Sequence, residues 1–149
     1  MKKIAIVLLF AVSSFAFDLT FTKAFNNYNK GIRYEKTDPQ KANQYFQKAF
    51  FLIQMLKHKD TSQVHYMLGN IYLNGWGVEK NYQKAKKNFL RAIELGNSRA
   101  NCSLAKVYIK MGNLKLAKKY LNIALSNPSI APYCSDIDKN NLTIKGEKQ

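Results

Sequence analysis

Beyond residue 17 the apolar positions recur at intervals of three and four, and proline and glycine are scarce, a pattern that predicts helices nearly throughout. The spacing places them near 20–36, 39–57, 62–74, 81–95, 98–111, 113–126 and 129–140, followed by a flexible basic tail over 142–149. A longer period is laid over the helical one. In "KANQYFQKAF", Phe46 and Ala49 stand four and seven residues after Ala42; Phe89 and Ala92 stand likewise after Ala85, and Leu121 and Ala124 after Ala117. Upstream of each ladder a small residue precedes a tyrosine by three: Gly31 and Tyr34, Gly69 and Tyr72, Ala105 and Tyr108. A small residue lets two helices approach and the tyrosine covers the gap beside it. Each unit is therefore an antiparallel helix pair whose apolar face is completed by the next unit.

The N-terminus breaks this pattern. Lys2 and Lys3 precede the apolar run Ile4 to Val12, and Ser14-Phe15-Ala16 offers small residues at the first and third places, as signal-peptidase cleavage requires. The alternative, a membrane anchor, needs ~20 apolar residues, more than residues 4–17 supply. The reading is a signal peptide over 1–16, a helical domain over 17–141 and a periplasmic or secreted destination, with no stable membrane insertion after cleavage. The mature chain of 133 residues carries 22 basic and 9 acidic residues, a net charge of +13. An exported chain rarely meets nucleic acid, so this charge points to acidic protein surfaces or anionic envelope components, and nucleic acid is not expected as a partner. Dispersal is the competing account: Lys80, Lys84, Lys87 and Arg91 share one helix face and can simply solvate it.

Residues 64–99, "VHYMLGNIYLNGWGVEKNYQKAKKNFLRAIELGNSR", resemble a Sel-one-like repeat: Leu-Gly, a tyrosine, the Gly-X-Gly-Val loop, Lys-Ala, an aromatic, and Ala before a closing Gly. Residues 100–127 are closer to a plain tetratricopeptide repeat, since Met111-Gly112-Asn113 makes a short turn in place of that loop, and residues 24–57 look like a degenerate first copy. Asn81 stands where the family usually carries aspartate, and asparagine caps the following helix equally well. The resemblance implies an all-α fold, a right-handed α/α superhelix or solenoid of about three helix-turn-helix repeats plus a terminal helix. It also implies a scaffold that binds a protein or peptide along a concave surface lined by the first helix of each pair. Carried onto this chain, that surface comprises Phe25, Tyr28 and Ile32; then Gln63, Tyr66, Asn70, Leu73 and Asn74; then Arg99, Cys102, Lys106, Ile109 and Lys110. Tyr66 and Ile109 also read as packing residues, and Lys106 and Lys110 as helix solvation. Trp76, between Gly75 and Gly77, occupies a place that is variable and often polar in such loops, so it is expected to point outward as a contact at the groove rim, the alternative being a structural plug that leans on Tyr82 or the stem of Lys80.

Secreted relatives are often stapled by cysteine pairs between neighbouring helices. Cys102 and Cys134 sit in the similar stretches "NSRANCSLA" and "PSIAPYCSD", and a bridge between them is expected over two free buried thiols. Signals for chemistry are thin. His58 and His65 lack companions at ligand spacing, so neither a metal site nor a cofactor is expected. "SLAK", residues 103–106, fits the Ser-x-x-Lys pattern of penicillin-recognising enzymes, but its Leu104 and Ala105 are repeat-core positions and the companion motifs are absent. Some cysteine-rich relatives carry a penicillin-hydrolase label, which leaves a weak β-lactam hydrolase as the alternative to an interaction scaffold without catalytic residues.

Overall fold

The computed structural model describes residues 19–140 and 142–145, the side chain of Lys57 excepted. The expected signal peptide, residues 1–16, lies outside the described residues, as do residues 146–149 of the tail. The chain divides into two compact units at Lys59 and Asp60.

The first unit holds α1, residues 19–34, and α2, Pro39–Leu56, with a 3-10 turn over Lys57–Lys59. Asp38 starts α2: its Oδ1 accepts from the Lys41 backbone N–H at 3.0 Å, and Pro39 fills the first helical position, where no donor is needed. Ala42, Phe46, Ala49 and Ile53 form its buried stripe. Phe46 lies against Gly31 so closely that a Cβ on that glycine would fall 2.5 Å from its ring. Tyr34 stacks on Tyr45 at 5.7 Å, and the Lys41 ammonium sits 4.1 Å over the Tyr34 ring.

The second unit holds α3, Ser62–Asn74; α4, Tyr82–Glu94; α5, Ala100–Lys110; and α6, Leu114–Leu125. Three of these begin on side-chain caps: Thr61, Asn81 and Asn113 accept from the N–H groups of Val64, Lys84 and Leu116. The helices pack as successive pairs, α3 on α4 and α5 on α6, and the pairs stack through α4 and α5. One apolar cluster spans that junction: Leu73, Ala85, Phe89 and Ala92 meet Ala100, Leu104, Val107, Tyr108 and Ala117. This is the stacking of an α/α solenoid, in which neither pair buries its apolar face alone. Gly69 faces Phe89 as Gly31 faces Phe46, again leaving 2.5 Å for a Cβ. In the α5/α6 pair the equivalent positions are Ala105 and Leu121, which share a second cluster.

The predicted helix over 129–140 and the terminal helix of the expected architecture do not form. Their place is taken by a 3-10 turn, Ala131–Cys134, and a small antiparallel hairpin in which β1, Ile137–Asp138, pairs with β2, Thr143–Ile144. The cause is local chemistry. Pro128 disfavours helical backbone at Asn127, Pro132 sits in the first turn of the 3-10 segment and has no N–H to continue an α-helix, and asparagine and aspartate offer turns instead. Asn127 Oδ1 accepts from the Ser129 N–H at 3.0 Å, and Asp138 Oδ1 from the Asn140 N–H at 2.8 Å. Residues 142–145 thus belong to a hairpin and not to a free tail. The segment still caps the solenoid: Cys134 and Ile137 pack with Cys102, Ala105, Leu121 and Ala124, where a further repeat would have packed. The expected bridge is present, Cys102 to Cys134, with Cα atoms 5.2 Å apart.

Candidate interaction surface

The first helices of the second unit, α3 and α5, contain no aspartate or glutamate. On α3, Tyr66, Asn70 and Asn74 recur every four residues and so share one face. Tyr66 and Asn70 are half-buried and Asn74 is exposed. The Tyr66 ring lies 6.0 Å from that of Phe89, so its inner edge is packing while its outer edge stays accessible. Asn74 Nδ2 donates to the Asn70 carbonyl at 3.0 Å. Gln63 is exposed at the start of the helix. Leu73, also expected on this surface, is 7% exposed and belongs to the core. Tyr28, in the first unit, is likewise 7% exposed, with its ring edge-on to Phe46, so it is a packing residue, whereas Phe25 and Ile32 are exposed.

At the start of α5 and along it, three of the expected residues are already engaged. Cys102 is bridged to Cys134. Lys106 Nζ lies 2.7 Å from Asp136 Oδ2, and the exposed Arg99 guanidinium sits 4.6 Å from the centre of the Tyr133 ring. Ile109 and Lys110 are half-buried. Asp136, absent from the expected set, is the residue that sequence spacing could not supply, because it comes from the cap.

Trp76 closes α3. Gly75 takes left-handed backbone at φ 72°, and the N–H groups of Gly75 and Trp76 both donate to the Ile71 carbonyl, at 2.9 and 3.0 Å. This is the turn a glycine makes after a helix, and it places the tryptophan where an apolar residue commonly folds back on the last turn. Trp76 is half-buried, so it is neither fully exposed nor part of the buried core. Asn81 N–H then donates to the Tyr72 carbonyl at 2.8 Å, tying the loop down before α4 begins.

A polar clamp lies at the other end of α3. Asp60, at φ 46°, extends its carboxylate between two helices: Oδ1 is 2.8 Å from His65 Nε2 and accepts from Arg91 Nε at 3.0 Å, and Oδ2 pairs with Arg91 Nη2. The other ring nitrogen of His65, which is 9% exposed, is 3.0 Å from Asn88 Oδ1. Asn88 Nδ2 donates to the Lys84 carbonyl, which orients the amide. The Arg91 guanidinium, and after it His65, hold the Asp60 carboxyl down to about 2, and Asp60 in turn raises Arg91 above its ordinary value. Arg91 therefore does more than solvate the α4 face. Asp60, Asn88 and Arg91 escaped the sequence reading because they converge from positions up to 31 residues apart.

Ser103 is 5% exposed within α5, and the ammonium of Lys106 is directed to Asp136. Among the described residues no group of three or more His, Cys, Asp or Glu side chains is placed to hold a metal ion. Among them, too, no helix is long and apolar enough to cross a membrane.

Paired helices stacked on a shared core, with polar residues on α3 and lysines on α5, define an all-α repeat protein. The Sel1 repeat model matches residues 24–50 and 62–97, and a tetratricopeptide repeat model matches residues 98–127. The chain belongs to the Sel1-like and tetratricopeptide repeat family. No curated protein and no solved structure matches it.

Proposed function

We propose that this protein is an exported interaction scaffold that binds a protein or peptide along the accessible face of its first helices. The observation that carries the reading is the run of matched repeats over 24–50, 62–97 and 98–127, repeats of the kind that serve protein–protein interaction. Tyr66, Asn70 and Asn74 on α3, Arg99 just before α5, and Lys106 and Lys110 on it form its contact set, with Trp76 in the loop after α3. A stacked frame with a disulfide-tied end holds such residues in place without ordering cost on binding. Export rests on the Lys2-Lys3 start, the apolar run Ile4 to Val12 and Ala16, and a disulfide persists in an oxidising compartment.

Affinity capture from the native envelope with mature protein, read by mass spectrometry, tests the scaffold. A partner retained by the wild type and lost with Asn70→Ala combined with Tyr66→Ala is expected; capture indifferent to both would move the contact elsewhere. Nitrocefin turnover abolished by Ser103→Ala would replace the scaffold with a hydrolase. The intact mass of the mature protein checks export, with Phe17 as the expected first residue.

A further inference from the structure

We propose that one flank of the first helix pair is a peripheral docking surface for an anionic phospholipid bilayer, with lysines of α1 and α2 on the headgroup phosphates and the side chains of Phe51 and Met55 entering the interface. It goes beyond the scaffold reading, and neither depends on the other. Three observations carry it. First, Phe51 and Met55 are the two most exposed large apolar side chains among the described residues, at 67% and 55%. They stand one turn apart on α2, on the side away from the buried stripe of Ala42, Phe46, Ala49 and Ile53, so they add nothing to that core. Second, the same flank is basic. Lys41, Lys48 and Met55 recur every seven residues, which lines them along one side of α2, and Phe51 follows Lys48 by three. Lys48 Nζ and, from α1, Lys30 Nζ lie 5.8 and 5.5 Å from the centre of the Tyr45 ring, while Lys41 covers Tyr34, which stacks on Tyr45. Three ammonium groups are thus gathered round one tyrosine pair. Third, neither helix carries an aspartate or glutamate, and Glu35 and Asp38 are confined to the turn that joins them. Residues 19–59 hold eight basic residues against two acidic, a net charge of +6.

Charge and exposed carbon together select the occupant. A second copy laid on the apolar pair would bring two strongly basic units together, and a soluble polyanion would use the lysines but leave the Phe51 ring in water. An anionic bilayer engages both. Each lysine near such a surface strengthens binding about fivefold, and an apolar side chain beside it enters the boundary between headgroups and acyl chains. The contact is peripheral, since among the described residues no helix is long and apolar enough to cross a membrane.

The test is co-sedimentation of the disulfide-bonded mature protein with vesicles of equimolar phosphatidylglycerol and phosphatidylcholine, and with pure phosphatidylcholine vesicles as the control. Binding to the anionic vesicles alone is expected. Lys30→Gln with Lys48→Gln should weaken it roughly 25-fold, about fivefold for each lysine. Lys115→Gln with Lys118→Gln removes the same charge from the exposed side of α6 and should weaken it far less. Phe51→Ser with Met55→Ser leaves the charge intact and should lower affinity roughly tenfold or more. Melting curves establish that each variant keeps its fold, as exposed substitutions ordinarily do. Phe51→Trp, set beside the wild type, reports entry directly: only the variant should gain blue-shifted indole emission on anionic vesicles. Equal binding to phosphatidylcholine, equal losses from the two lysine pairs, binding indifferent to Phe51 and Met55, or no added blue shift would each overturn the surface. So would a dimer that Phe51→Ser dissociates, or a captured protein partner lost with that variant, since the flank would then belong to a second copy or to a protein. The capture test on Tyr66 and Asn70 is unaffected by any of these results.

Discussion

The two helix pairs of the second unit meet the same packing demand with different side chains. In α3/α4 a glycine faces a phenylalanine, Gly69 against Phe89, while in α5/α6 an alanine faces a leucine, Ala105 against Leu121. What is held between them is the summed volume at the contact. A ring needs the bare backbone of glycine, and a branched aliphatic leaves room for one methyl. The first unit repeats the glycine and phenylalanine solution with Gly31 and Phe46. The pairs differ again at their free ends. The α3/α4 pair stacks on α5 and carries the Asp60 clamp, whereas α6 has no following repeat and is finished by a cap tied through Cys134. The α3/α4 pair thus draws stability from the pair that follows it, and the α5/α6 pair from a covalent tether as well.

That contrast sets the order of expected effects. Removing the tether with Cys102→Ala and Cys134→Ala frees a loop of 32 residues' separation and should cost roughly 3.5 kcal/mol in urea unfolding, by the chain-entropy estimate. A loss below ~1 kcal/mol would show that the cap is held by packing alone. Next, Gly69→Ala should cost ~2 kcal/mol, because its Cβ would press on the fully buried Phe89 ring. Combining it with Phe89→Leu reproduces the α5/α6 solution, so the double variant should be more stable than the sum of the two single losses predicts. Simple additivity in that cycle would break the volume argument.

Trp76→Ala should cost ~1 kcal/mol, between an exposed substitution and a core truncation, since the indole is half-buried beside the glycine turn. Its emission should fall between those of buried and fully exposed indoles. The smallest effect belongs to the clamp. The Asp60 carboxyl is held down to about 2, below its ordinary value near ~4, so its ionised form favours the folded state. The stabilisation is complete above the ordinary value and is lost as pH falls from about 4 through about 2. Urea midpoints of wild type and Asp60→Asn should therefore differ at pH 6 and converge toward pH 2, with the gap reduced by salt because the carboxylate is exposed. A gap that does not change with pH would assign the effect of Asp60 to its left-handed backbone at φ 46° instead of its charge.

The residues expected to line a concave face differ in their surroundings. Tyr66, Asn70, Asn74 and Arg99 are at least partly accessible, Leu73 and Tyr28 are core, and Cys102 and Lys106 are engaged by the cap. Trp76 was read from the variability of its loop position, which carries no information on how far a large ring folds back over the helix end.

Local periodicity determined the helices. An apolar residue every third or fourth place, a glycine or alanine three before a tyrosine, and asparagine at the start of α4 each act within a turn or two of the backbone, so they can be read along the chain. Tertiary structure alone decided the rest. Whether residues 129–145 extend the array or end it depends on prolines and turn residues weighed against the surface left open by α5 and α6. Likewise Asp60 finds Arg91, and Asp136 finds Lys106, only once the helices are stacked. Charge pairing acts through space across distances that no local spacing encodes, and that is why the Asp60 clamp and the Lys106 to Asp136 ion pair appear only in the folded molecule.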